Sequence, residues 1–148
     1  MGQHSDTGDG ETWRLRPVKS FEDLEVWQKG KDLTLRIYEI AGKLPKDEVY
    51  GITSQIKRAA LSVPANIAEG FGRYHFLDKA KFYLNARGSL YELKSHFLIL
   101  RDLQFIKEAE LVDVLPAIDQ LSLQINNLIN ATRKLRKETD KKNETEKA

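Results

Sequence analysis

The stretch Leu111–Leu135, LVDVLPAIDQLSLQINNLINATRKL, decides the fold. Leu111, Val114, Ile118, Leu121, Ile125, Leu128, Thr132 and Leu135 recur every three or four residues, the period that lays side chains along one face of an α-helix. Strand alternation at period two competes nowhere in the chain. A helix is therefore expected from about Lys107 to Arg136, with Pro116 bending its early turns or marking a later start.

Three more segments carry the same period. Ser20 reads as an N-cap, followed by Glu22 and Asp23 where carboxylates oppose the positive helix end. From there Val26, Gly30, Leu33, Ile37, Ile40 and Leu44 form a seam that closes near Gly42, before Pro45. After a polar loop over 45–50, Ile52, Ile56, Ala59, Ala60, Val63, Ile67 and Phe71 define a second helix, closed by Gly70 and Gly72. Pro64 inside it removes a backbone donor, so a kink or bulge is expected near Leu61–Pro64, with Ser62 bonding a freed carbonyl. A third helix runs from about His75 to Leu103, with Ala86, Leu90, Leu93, Phe97 and Leu100 on one face. Gly88 and Ser89 in its middle lower helix propensity and suggest close approach of a neighbouring backbone. Short loops between four such helices give an all-α, antiparallel up-down-up-down bundle.

At 148 residues the chain is the size of one domain. Its 41% hydrophobic and 31% charged content excludes both a disordered chain and a membrane span, and no apolar run approaches bilayer length. Residues 1–19 hold Gly2, Gly8, Gly10 and Pro17 without an apolar period and are expected to form a disordered leader. The bundle is expected over 20–136, and the charged tail over 137–148 is expected to fray. No export signal is legible, so the expected location is the cytoplasm.

Zero cysteines exclude disulfides, thiolate nucleophiles and Cys-based zinc sites. A di-iron bundle would need inward carboxylates on all four helices and two Glu-x-x-His pairs. The nearest approach is Glu92 with His96; His4 and His75 lie far from them in sequence, and no nucleophile elbow, Walker loop or zinc-protease motif occurs. No enzyme, metal or cofactor is expected.

Polar residues interrupt the apolar surface at Ser62, Asn66 and Glu69 on the second helix and at Ser89 and Glu92 on the third. Buried, such groups need partners, either as pegs that fix helix register around Pro64 or as contacts to a ligand or nucleic acid. Asp6, Asp9 and Glu11 are the only charged residues among the first twelve, so a formal charge of +2 hides a mildly basic remainder. Arg87, Lys94 and Arg101 recur every seven residues, about 10.5 Å per step along one face, and form a cationic ridge on the third helix. Lys57, Arg58, Arg73, Lys79 and Lys81 add to it, as do Arg133, Lys134, Arg136 and Lys137 near the end of the fourth helix. The bland alternative is that these are ordinary solvated faces. Trp27, Tyr38, Leu77, Leu84 and Tyr91 form second apolar stripes on the first and third helices, a surplus that implies self-association.

Several blocks carry a family resemblance: Phe21–Trp27 (FEDLEVW), Leu44-Pro45, Tyr50–Ala60 (YGITSQIKRAA), Ser62–Arg73 (SVPANIAEGFGR) and Gly88–Leu93 (GSLYEL). In this order and spacing, over about Phe21 to Leu135, the chain resembles the bacterial four-helix bundle proteins also called 23S rRNA intervening-sequence proteins. The resemblance implies a homopentameric ring, encoded in some genomes inside insertions of the large ribosomal RNA gene. A distant relative is the basic, pentameric accessory protein of diversity-generating retroelements, which binds nucleic acid and a reverse transcriptase. The expected function is thus a non-enzymatic oligomer that binds RNA or DNA through phosphate contacts, which a ring of subunits would reinforce. Few aromatics are placed for base stacking, so little base readout is expected. The alternatives are an adaptor that docks a partner such as a reverse transcriptase, and an accessory gene product without a direct ligand.

Overall fold

The computed structural model describes residues 18–148. Helix α1 spans Glu25–Ala41, α2 Ile52–Phe71, α3 Phe76–Asp102 and α4 Glu108–Lys147, with single 3-10 turns at Phe21–Asp23 and Lys46–Glu48. No strand occurs among the described residues. The leader expected over 1–19 lies outside them but for its last two residues. Ser20 does cap, but it caps the 3-10 turn: its Oγ accepts from the Glu22 amide, and the Asp23 carboxylate accepts from the Ser20 amide at 3.1 Å. α1 begins only after this turn, beyond extended Leu24.

Connections of four to ten residues set consecutive helices antiparallel. α1 packs on α2 and α4, and α3 packs on α2 and α4, so the four close into a square with α1–α4 as its thinnest seam. The expected seams face inward. Ile37, Ile40, Ile56, Ile67, Leu90, Leu93, Phe97, Leu100, Ile118 and Ile125 are fully buried. Each such side chain contributes about 1.5–3 kcal/mol relative to exposure. On α4 the stripe drifts: Ile129 is buried while Leu128 is half-buried and Leu135 is exposed.

Three expectations change. α2 is helical through Pro64, and the carbonyl that Pro64 leaves without its amide, that of Ala60, is 3.0 Å from Thr34 Oγ1 on α1. Thr34 therefore supplies the compensation expected of Ser62. Gly30 faces Val63 and Pro64 at this contact, where a Cβ would lie 3.4 Å from Val63 Cγ1 and 3.7 Å from the proline Cα, ordinary van der Waals distances, so the approach does not depend on glycine. Close approach to α3 occurs at Gly70 and not at Gly88. A Cβ on Gly70 would lie 2.6 Å from Tyr83 Cε1, whereas Gly88 has nothing within 4 Å. Tyr83 is buried there, and burial pushes its hydroxyl pKa up.

The third correction concerns α4, which runs to Lys147 and does not end near Arg136. No Gly or Pro stops it, and its last turns are rich in Lys and Glu, both good helix formers. Arg136–Asp140 and Lys142–Glu146 pairs at i,i+4 add support. Past α3, Gln104 takes a left-handed conformation (φ 60°), and the Phe105 amide donates to the Leu100 carbonyl at 3.0 Å, a Schellman turn that redirects the chain into α4.

Candidate nucleic-acid interface

Antiparallel pairing sets the head of α3 against the far half of α4. On α3, Leu77, Ala80, Lys81 and Leu84 share one face at helical spacing; on α4, Arg133, Arg136, Lys137 and Asp140 do the same. Between them lies a groove of about 600 Å³. Phe76, Leu77, Ala80 and Leu84 form its apolar floor, and Lys81, Arg133, Arg136 and Lys137 ring it with positive charge. Asn85 and Asp140 complete the lining. Arg136 Nε lies 3.8 Å from Asp140 Oδ2, while Lys81, Arg133 and Lys137 make no ion pair among the described residues. Four cations facing one carboxylate leave the groove net positive. Leu77, expected from sequence to be surplus apolar surface, is 60% exposed in this floor, and Leu84 is half-buried beside it.

All but one of the other basic candidates are engaged elsewhere. The ridge runs along the α3–α4 seam, where Arg87 Nη1 donates to Asn126 Oδ1 at 2.8 Å and lies over the Tyr91 ring. Lys94 Nζ is 2.8 Å from Asp119 Oδ1, and Arg101 Nε is 3.3 Å from Asp102 Oδ1. Two ridge members thus tie α3 to α4, and two of the three charges are matched by carboxylates. Lys79 Nζ donates to the Phe71 and Gly70 carbonyls at 2.7 and 3.3 Å, which caps the end of α2; desolvation holds its pKa down. Arg73 pairs with Glu69 at 3.0 Å and lies over Phe82. Lys57 lies over Tyr38, and Arg58 donates to Gln55, both at the opposite end of the bundle from the groove. Lys134 is exposed on α4, outside the groove lining.

The polar set divides in the same way. Ser62 Oγ is 2.8 Å from Ser89 Oγ and accepts from Asn66 Nδ2 at 2.9 Å, a half-buried link between α2 and α3. Glu69 and Glu92 do not join it. Both are exposed and pair locally, Glu69 with Arg73 just past the end of α2 and Glu92 with His96 along α3 at 3.3 Å. Phe76, Ala80, Asn85 and Asp140 carry no signal in the sequence, because only the α3–α4 pairing gives their positions meaning.

Residues 22–127 match the profile of the 23S rRNA-intervening sequence protein family. The chain belongs to this family. As a 23S rRNA-intervening sequence protein it is a four-helix bundle, and no group of three or more His, Cys, Asp or Glu among its described residues could hold a metal ion. No described helix is long and apolar enough to cross a membrane. No curated protein matches the chain. The family match carries the bundle and the head of α3, and it stops before Arg133, so the α4 wall of the groove lies beyond the matched span.

Proposed function

We propose that this family member is a non-enzymatic, oligomeric RNA- or DNA-binding protein that holds phosphates through the α3–α4 groove. The observation that carries this is the convergence of Lys81, Arg133, Arg136 and Lys137 around one concavity, three of them without an ion-pair partner among the described residues. Phosphate contacts of this kind release counterions, so binding is sequence-tolerant and falls steeply with salt. Arg87, Lys94 and Arg101 extend the same seam and contribute less, since their side chains already have intramolecular partners. A homopentameric ring would repeat the groove around its circumference and raise the local field.

Replacing Lys81, Arg133, Arg136 and Lys137 by Gln is expected to weaken RNA binding and to flatten the salt slope by about 0.7–0.9 for each phosphate no longer neutralised. Fluorescence anisotropy across a salt series reads both quantities. An unchanged slope rejects the groove as the phosphate site. The adaptor reading draws on a different observation, the exposed apolar side chains Leu35 and Tyr38 on α1 and Leu61 on α2. A reverse transcriptase that stays bound at high salt after nuclease treatment would favour it.

A further inference from the structure

The groove is built wrongly for a duplex and well for an unstacked base. A duplex offers a phosphate rail but shields its base faces, so an apolar floor gains nothing from it; a single strand offers phosphates and free π-faces together. Here the floor of Phe76, Leu77, Ala80 and Leu84 lies between cations from two helices. Its volume of about 600 Å³ falls in the range that encloses a small organic group. At one end His75, Phe76 and Leu77 meet Arg136 and Asp140 around a smaller hollow of about 230 Å³. The residue before His75 is Tyr74, 89% exposed, whose ring stands perpendicular to the His75 ring at a centroid distance of 5.2 Å and 87°. An aromatic ring held in solvent beside a cationic, apolar-floored groove is a stacking platform.

We propose that the groove takes single-stranded nucleic acid, seating one base on the Phe76–Leu84 floor and stacking a neighbouring base on Tyr74, with the flanking phosphates on Lys81, Arg133, Arg136 and Lys137. This rests on the phosphate-binding reading and adds the substrate class. It also revises the expectation that aromatics play little part: Tyr74 stands in a loop whose sequence carries no such signal, next in the chain to His75, which lines the hollow at the groove's end.

The test uses the full chain and fluorescein-labelled 12-mers at one salt concentration: single-stranded RNA, single-stranded DNA, a blunt duplex of the same sequence, and an oligomer with abasic residues at its centre. Single strands are expected to bind about tenfold more tightly than the duplex, and the abasic oligomer to fall to the duplex level. Tyr74→Ala and Leu77→Ser, both at exposed positions, should each weaken single-strand binding several-fold. Comparison of the RNA and DNA arms assigns the sugar preference within the same class. Duplex affinity equal to single-strand affinity, or abasic affinity equal to intact, overturns the inference while leaving phosphate binding in place. Absence of binding to every oligomer overturns both.

Discussion

Thr34 shows how one side chain decides whether a helix tolerates proline. Pro64 leaves the Ala60 carbonyl without a backbone partner inside a close-packed α1–α2 contact, and Thr34 Oγ1 lies 3.0 Å from it. The hydroxyl is also 2.8 Å from its own Gly30 carbonyl, so one hydrogen serves two acceptors across the seam. Thr34→Val keeps the shape and removes the donor, and is expected to cost about 1–2 kcal/mol in urea unfolding. Two glycines behave oppositely. Gly70→Ala drives a methyl into the Tyr83 ring and should destabilise by about 1–3 kcal/mol. Gly88→Ala meets open space in the middle of α3 and should stabilise by about 0.5–1 kcal/mol. Thermal melts of the two variants moving in the same direction would contradict this packing.

Among the elements, α1 and α4 share the thinnest seam, latched at its outer edge by Arg36. Its Nε is 2.7 Å from Asp113 Oδ2, and its Nη1 is 3.2 Å from Glu39 Oε2. The hydrogen bond from Arg36 holds the Asp113 carboxyl below the usual carboxylate range. A carboxyl with a depressed folded pKa contributes stability that is present above its unfolded pKa and is lost as pH falls through the folded value. Asp113 is half exposed, so solvent screening keeps the contribution within about 0.2–1 kcal/mol. Asp113→Asn should therefore lower stability slightly at neutral pH and converge with the parent in acid, below the ordinary carboxylate range; pH-dependent denaturation reads the convergence. The elements themselves are largely legible in the sequence, because apolar residues at spacings of three and four leave little choice. Their ends are less so. Absence of apolar residues points to a frayed end for α4, whereas Lys, Glu and i,i+4 pairing sustain a solvated helix there.

For the whole molecule, antiparallel closure turns residues some fifty positions apart into neighbours, and the groove follows from that closure alone. The surface left over bears on assembly. Leu35, Tyr38 and Leu61 on the α1–α2 side, with Leu123 on α4, are all exposed. These support self-association, and sedimentation at micromolar concentration is expected to give a species several times the 17.0 kDa protomer. A Leu35→Glu, Leu61→Glu variant should sediment as the protomer while keeping its helical signal. The sequence by itself determined that the chain is a four-helix bundle of this family, since periodicity and the ordered motif blocks are local properties. The four groove cations are among the twelve basic residues that the sequence offers as candidates. Only the tertiary structure decided which of the twelve already have partners, because pairing depends on distances between helices. Lys94 meets Asp119 and Lys79 meets a helix end, while Lys81, Arg133 and Lys137 face a groove that exists only once α3 and α4 lie side by side.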